Sequence, residues 1–229
     1  TGKDISSIPI TTLTELQTIL DNAEIASKTY NFSTFSQRQK LMYQFRKGIV
    51  KYMDEFIDTI TAETGKKEVE SLMEIFISLE HLQQSSKNLY MALEKRYRRV
   101  GIMKMKKAWI EYEPMGVAGI ISPWNYPLIL SMSPTVEAML AGNTVVLKSS
   151  EHTPLTTKLF IIPSKGYNCV EVSLFFQTKC IRQRMYMLRV AKRCCPSITS
   201  KIFPFSLSIP IILPYTVCLG FLVLSLWNF

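Results

Sequence analysis

The chain has 229 residues, of which 47% are hydrophobic and 20% charged, and its formal net charge is +9. These values are typical of a globular chain with one good core or two small ones, and exclude a fibrous or low-complexity chain. The charge is uneven, because residues 161–229 contain 8 basic residues and one acidic residue, whereas residues 1–160 contain 19 and 17. A near-neutral body argues against nucleic-acid binding.

Cysteine usage argues against a zinc site and against a disulfide framework. No two cysteines have Cys-x-x-Cys spacing, and His81 and His152 are the only histidines. The cysteine count is odd, and Ile5–Ile10 is too short for a signal peptide. We therefore expect no metal and a cytoplasmic protein. The cysteines are Cys169, Cys180, Cys194, Cys195 and Cys218.

Residues 11–94 have the spacing of amphipathic helices. Ser36 and Gln39 predict a capping box at the start of one helix. Behind it, apolar residues recur at steps of three and four, which predicts a buried helix face. These residues are Leu41, Phe45, Ile49 and Tyr52.

Two further helices are expected in this region. One should begin near Asp54 and end at Thr64, where Gly65 can supply a left-handed cap. The next should begin near Glu68 and bury one apolar stripe in the core. This stripe comprises Leu72, Ile75, Phe76, Leu79 and Leu82.

Residues 95–107 carry seven basic groups among aromatic and aliphatic residues. This mixture would suit an anionic surface, but Lys104–Met105–Lys106 alternates as a half-exposed strand does, with its cations in water. The strand interpretation is favoured, and no nucleic-acid partner is expected. Trp109–Glu113 then predicts an edge strand, broken by Pro114.

Two short apolar runs, Gly116–Ile121 and Thr144–Leu147, predict parallel strands buried on both faces. Between them Leu128–Leu140 has helical spacing, and another helix follows Pro154. Strand, helix, strand, helix is a crossover unit of an open α/β sheet. Ligands of such sheets bind beyond the carboxyl ends of the strands. Those ends are residues 122–125 and 148–151.

The residues at these ends also carry a resemblance. Glu113–Leu128, which reads EPMGVAGIISPWNYPL, and Ala141–Pro154, which reads AGNTVVLKSSEHTP, resemble two motifs of the aldehyde dehydrogenase superfamily. The resemblance covers residues 1 to about 160. It implies N-terminal helices followed by the start of a Rossmann-like parallel sheet, that is, a truncated α/β fold. Residues 161–201 are expected to form an unrelated basic linker, and residues 202–229 an unrelated apolar tail.

The resemblance assigns a role to three polar residues. Asn125 matches the asparagine whose amide donates to the oxyanion formed when a thiolate attacks an aldehyde; the alternative is turn chemistry before Tyr126–Pro127. Lys148 and Glu151 match the pair that holds the adenosine ribose, and a glutamate there favours NAD over NADP. Their alternative is a solvated helix entrance, with Glu151 facing the helix dipole.

The resemblance also implies a cofactor lining of Ile121, Ser122, Pro123 and Trp124. Ser149 departs from the proline that usually follows the lysine. The implied partners are NAD and an aldehyde. The family forms oligomers, but this chain would lack most of the assembly surface.

The family's catalytic glutamate and nucleophilic cysteine should follow, but the resemblance stops after Phe160. Aldehyde oxidation needs a thiolate and a base that activates water. Without them we expect no turnover and weak NAD binding. A parallel sheet of only two strands would also leave its edges unpaired.

Residues 202–229 contain no charged side chain, and Lys192, Arg193 and Lys201 precede them. The length suffices to cross a bilayer, although three prolines interrupt it. The rival origin is an altered reading frame or a retained intron, which the composition favours. Two functions therefore remain: a truncated, inactive oxidoreductase, or a tail-anchored, non-catalytic membrane or interaction protein.

Overall fold

The computed structural model describes residues 5–6, 8–101 and 107–161, together with the backbone of 172–175. These residues form six helices and five strands. In chain order they are α1 Leu13–Tyr30, α2 Phe35–Lys51, α3 Met53–Thr64, α4 Glu68–Leu93, β1 Arg96–Arg98, β2 Ala108–Ile110, β3 Val117–Ile121, α5 Ile129–Leu140, β4 Thr144–Lys148, α6 Pro154–Ile161 and β5 Val172–Phe175.

The helix α2 begins two residues earlier than predicted. Its N-cap is Thr34, whose side chain accepts from the backbone N–H of Gln37 while Gln37 reaches back to Thr34. The expected capping box of Ser36 and Gln39 is therefore wrong. Thr34 and Gln37 have the same three-residue spacing, and Thr34 has the extended backbone of an N-cap, so the helix already includes Ser36. The apolar stripe is confirmed for Leu41, Phe45 and Ile49, which are buried, while Tyr52 caps the helix end.

The third and fourth helices have the expected bounds, and Gly65 ends α3 with a φ of 72°. The predicted stripe of α4 is confirmed for Ile75, Leu79 and Leu82 only. Leu72 and Phe76 are 42% and 62% exposed, so their predicted burial is wrong. The buried face of α4 is rotated towards three hydrogen-bonded polar residues, which can occupy an interior because their polar atoms have partners. They are Ser71, Glu74 and Ser78.

An antiparallel hairpin follows α4. In its register, Arg96 lies opposite Ile110, and Arg98 opposite Ala108. The expected strand Trp109–Glu113 is therefore shifted to Ala108–Ile110. The three residues of β1 are exposed, so the cations of Arg96 and Arg98 face water. Lys104–Met105–Lys106 lies outside the described residues.

The predicted parallel sheet is present, with the strand order β3-β4-β5. All five residues of β4 are buried, as expected for a strand between two neighbours. In β3 only Ile120 is buried, because β3 is an edge of the described sheet, so the prediction of burial on both faces is wrong there. The expectation of only two strands is also wrong, since Val172–Phe175 pairs with β4 in parallel. The chain division near residue 160 stays a prediction.

Helices cover both faces of the central strand. On one face, Val146 packs against three residues of α1, namely Leu16, Leu20 and Ala23. Its neighbours on β4 point to the other face, where Val145 and Leu147 join the main core. This alternation follows from the two-residue period of a strand. The result is an α/β arrangement whose sheet is fixed between helices, so its strand ends are held in place.

The amino ends of the two strands are joined by polar contacts. The Asn143 carboxamide oxygen accepts from the backbone N–H groups of Met115 and Gly116 at 2.7 and 3.0 Å. Arg38 is buried and donates to the carbonyl oxygen of Leu140, at the end of α5. Burial lowers the pKa of the Arg38 guanidinium below its ordinary value. These contacts fix β3 relative to β4 from the end opposite the candidate site.

Candidate functional site

The carboxyl ends of β3 and β4 meet through one backbone hydrogen bond. The N–H of Ser122 donates to the carbonyl oxygen of Lys148 at 3.0 Å, directly after the last register pair of the two strands. Residues 122–125 and 148–151 therefore leave the sheet side by side. Their predicted neighbourhood is confirmed, while the role of each side chain stays a prediction.

Lys148 and Glu151 form an ion pair at this edge. The ammonium nitrogen lies 3.3 Å from Glu151 Oε2. The lysine side chain is only 3% exposed and the glutamate side chain 39%, so the carboxylate is the outer member of the pair. An arriving ligand would meet the carboxylate first.

The environment of Glu151 keeps its carboxylate charged. Burial raises the pKa of this group, but a hydrogen bond from its own backbone N–H and the charge and hydrogen bond of Lys148 lower it, as does the charge of His152. The net result is a pKa below the ordinary value of a glutamate. The carboxylate can therefore act as a hydrogen-bond acceptor at neutral pH.

The expected cofactor lining spans a range of exposure. Ser122 is buried, Ile121 is half-buried and Pro123 is exposed. Trp124 is 55% exposed and packs edge-on against His152, with ring centroids 6.4 Å apart and planes at 78°. The aromatic contact joins the loop after β3 to the loop after β4.

Asn125 lies in the same loop and is half-buried. Its Oδ1 atom is buried and has no hydrogen-bond partner among the described residues. If the side chain served turn chemistry, this oxygen would accept a nearby backbone N–H. That contact is not made within the described part of the chain, so the described residues do not support the turn-chemistry alternative.

Sequence reasoning missed the residues that support this loop from below. Glu74 is buried in α4, and its Oε1 atom accepts from the backbone N–H groups of Leu128 and Ile129 at 2.9 and 3.3 Å. Its Oε2 atom pairs with the Lys66 ammonium at 2.6 Å. No signal for this role was available in the sequence, because Glu74 lies outside the predicted apolar stripe of α4.

Glu63 supports the second loop in a similar way. Its carboxylate accepts from the backbone N–H groups of Leu155 and Thr156 at 2.6 and 2.9 Å, and from the Thr156 hydroxyl at 2.6 Å. These donors lie in the first turn of α6, where backbone N–H groups lack partners within the helix. The sequence offered no sign of this contact, which joins residues more than 90 positions apart.

The described site contains no thiol, because all five cysteines lie outside the described residues. Within the same part of the chain, no group of three His, Cys, Asp or Glu side chains could hold a metal ion. A cavity of about 420 Å³ lies beside the hairpin, and none of the seven candidate residues lines it.

None of the described helices is long and apolar enough to cross a membrane. The tail at 202–229, the candidate anchor, lies outside the described residues.

The family model described as "Aldehyde dehydrogenase family" matches residues 1–163. The chain belongs to the aldehyde dehydrogenase family. The match ends close to residue 160, where the resemblance of the sequence motifs also stops. It includes both strand-end loops, so the family assignment covers the candidate site itself.

Relatives within this family are longer. One from Mycolicibacterium smegmatis, provisionally named a succinate-semialdehyde dehydrogenase [NADP(+)], is 31% identical over 157 residues, covering 69% of this chain and 30% of its own length. An aldehyde dehydrogenase-like protein of Schizosaccharomyces pombe is 30% identical over 137 residues, covering 59% of this chain and 26% of its own. The chain therefore spans about 30% of the length of the curated relatives it matches.

A solved structure shares the fold. Succinic semialdehyde dehydrogenase from Streptococcus pyogenes, determined in complex with NADP+, superposes with a TM-score of 0.71 at 17% identity, over 80% of this chain and 40% of that one. At this identity the likeness concerns the fold alone. It agrees with the helices and parallel sheet described above.

Proposed function

We propose that residues 1–160 form part of the cofactor side of an aldehyde dehydrogenase site, and that this chain alone does not oxidise aldehydes. In the complete reaction an aldehyde and water give a carboxylic acid, and a hydride passes to NAD or NADP. The observation that carries the proposal is the hydrogen bond between Ser122 and Lys148. It sets the loop with Asn125 beside the Lys148–Glu151 pair.

The adenosine ribose would be held by Lys148 and Glu151. The outer carboxylate of Glu151 can accept from both ribose hydroxyls, while the lysine ammonium can donate. Ile121–Trp124 would line the cofactor, and the exposed ring of Trp124 offers an apolar surface. The chemistry that bound NAD would supply is the acceptance of a hydride.

NAD is the cofactor we propose, although relatives carry names with NADP. A 2′-phosphate would meet the outer carboxylate of Glu151, and two like charges repel each other at short distance. Lys148 could attract a phosphate, but it is buried and already paired. The charge that an arriving nucleotide meets first therefore favours the unphosphorylated ribose.

Asn125 would stabilise an oxyanion through its amide N–H groups. A donor fixed where negative charge develops can contribute about 3–4 kcal/mol to a transition state. It acts only where a nucleophile creates that charge, and the described residues provide no thiolate. For this reason we propose an inherited but incomplete site, with NAD and an aldehyde as the ligands for which it is built.

The proposal is tested by assaying the purified full chain for NADH formation with short and long aldehydes. We expect no rate above a blank without protein, because the sequence contains no recognisable match to the family's motifs for the nucleophilic cysteine and the catalytic glutamate. Turnover that disappears in Asn125→Ala protein would refute the proposal, since it would place a complete catalytic site in this chain.

A further inference from the structure

The turn that carries Asn125 is fixed at both of its ends by contacts from other elements. At its start, Ser122 donates to the carbonyl oxygen of Lys148. At its end, the backbone N–H groups of Leu128 and Ile129 donate to Glu74 Oε1. The N-cap of α5 has no side-chain hydrogen bond of its own. Glu74 therefore supplies the cap that the local sequence lacks.

The middle of the turn is in contact with the same network. The Lys66 ammonium pairs with Glu74 Oε2 and also lies 3.9 Å from the centroid of the Tyr126 ring. A cation at this distance from an aromatic face is attracted to it. Tyr126 directly follows Asn125 in the chain. The ion pair thus reaches the residue next to the proposed oxyanion donor.

The side-chain oxygen of Asn125 is not held by a hydrogen bond from the described residues. This oxygen, Oδ1, is also buried. A side-chain amide without such a bond depends for its orientation on packing and on the placement of its own backbone. Contacts of Ser122, Tyr126 and Leu128 place that backbone, and the last two depend on Glu74 and Lys66.

We propose that Glu74 is the positioning residue for Asn125, acting through the first turn of α5 and, with Lys66, through Tyr126. The inference rests on the oxyanion role proposed above for Asn125. Glu74 would be more than a helix cap, because its second oxygen holds the lysine that contacts the ring beside Asn125. Glu63 provides the internal comparison, since it caps α6 with the same kind of contact but far along the chain from this turn.

The test uses the full chain, dissolved in mild detergent and labelled with ¹⁵N in asparagine only, and follows the side-chain amide signals by NMR. The Asn125 signals are identified by their loss in Asn125→Ala protein. Asn143 is the control signal, because its carboxamide is bonded at the opposite end of the sheet. Hydrogen exchange of peptides that cover residues 122–130 is measured on the same proteins.

We expect Glu74→Ala to move the Asn125 signals and leave those of Asn143 in place. Exchange at Leu128 and Ile129 should rise about tenfold, the factor that corresponds to losing one ordinary hydrogen bond. Glu74→Gln should keep exchange at Leu128 and Ile129 near wild type, since its amide oxygen can still accept the two N–H groups. Its Asn125 signals should move less than in Glu74→Ala protein but should still move, because the amide –NH₂ cannot hold the Lys66 ammonium. Glu63→Ala should raise exchange at residues 155–156 only.

The inference is overturned if Glu74→Ala raises exchange but leaves the Asn125 signals unmoved, because Glu74 is then a cap and nothing more. It is also overturned if Glu63→Ala moves the Asn125 signals equally. Should Glu74→Ala fail to fold, Lys66→Met keeps the Glu74 acceptor for α5 and removes the ammonium that contacts both Glu74 and Tyr126; unmoved Asn125 signals there contradict the inference. These measurements need no cofactor, so a failure to bind NAD leaves their outcome unaffected.

Discussion

Gly142 lies so close to Arg38 that a Cβ atom on Gly142 would meet the guanidinium Nη2 at 2.6 Å. It would also meet the Pro114 ring at 2.8 Å, and the backbone φ of 96° is one that other residues rarely adopt. Arg38 cannot easily withdraw, because it donates to Ser33, Asn31 and the end of α5. The glycine thus permits the contact of Arg38 on α2 with the end of α5.

Gly142→Ala should therefore destabilise the fold by about 3 kcal/mol, since left-handed strain and overpacking each contribute. Gly65→Ala is the matched control, because Gly65 also has a positive φ but has nothing within 4 Å of a Cβ. It should cost about 1 kcal/mol. Denaturant unfolding of both variants measures the difference, and equal losses would show that the contact with Arg38 is unimportant.

Much of the fold could be predicted because local patterns and tertiary packing agree. Gly65 ends α3 and Thr144–Leu147 forms a strand, as expected, since a left-handed cap and a buried β-branched run are local signals. The errors lie where a distant contact decides. Leu72 and Phe76 are exposed because the hydrogen-bonded Ser71, Glu74 and Ser78 share the buried face of α4 with Ile75, Leu79 and Leu82.

In the candidate site, too, local patterns predicted some residues, while distant contacts left others unpredicted. The placement of Asn125 and Lys148 followed from the rule that parallel strands end at one edge of a sheet. Glu63 and Glu74 escaped prediction because their partners are backbone N–H groups far along the chain, which no spacing reveals. The third strand was missed because Val172–Phe175 is short and lies beyond the recognised motifs.

Glu151 should set the preference between the two nucleotides. Replacing it by Gln removes the outer negative charge, so the ratio of NAD affinity to NADP affinity should fall about tenfold, or roughly 1.4 kcal/mol. Ligand-observed NMR titration suits the weak binding that we expect. Glu111→Gln, which removes a charge from the hairpin, should leave the ratio unchanged. Wild-type protein that prefers NADP would contradict the assignment.

The pH dependence of this preference follows from the lowered pKa of Glu151. A lowered pKa means that the carboxylate stays charged at pH values where an ordinary glutamate is already protonated. The preference for NAD should therefore persist below the ordinary range and disappear only when pH falls through the lowered value. The two titrations repeated at falling pH measure this, and a preference lost near neutral pH would be inconsistent with it.

Two parts of the chain end should have different effects: residues 202–229 should lower solubility, and β5 should raise the stability of the fold. The full chain is expected to be insoluble or membrane-bound, since 28 uncharged residues at 202–229 form a large apolar segment. Removal of 202–229 should give a soluble protein that retains β5. Removal of 161–229 also deletes β5, and should lower the unfolding midpoint because the edge of β4 is then unpaired.

Fractionation with carbonate extraction, followed by thermal unfolding of the soluble forms, checks both statements. A pellet that resists carbonate but dissolves in mild detergent would indicate an anchor, whereas resistance to both would indicate aggregation. Full-length protein found as a monomer in the supernatant would contradict the first statement. Equal midpoints for the two truncated forms would contradict the second.

Calorimetric titration of the full chain in mild detergent with NAD measures whether the site is inherited but incomplete. Lys148, Glu151 and the Ile121–Trp124 lining would serve the adenosine end only, so we predict a dissociation constant in the millimolar range or weaker, equivalent to about 4 kcal/mol at most. Lys148→Met, which keeps the buried stem, should weaken binding further. A micromolar constant, or binding that Lys148→Met leaves unchanged, would contradict the proposal of a partial site at these strand ends.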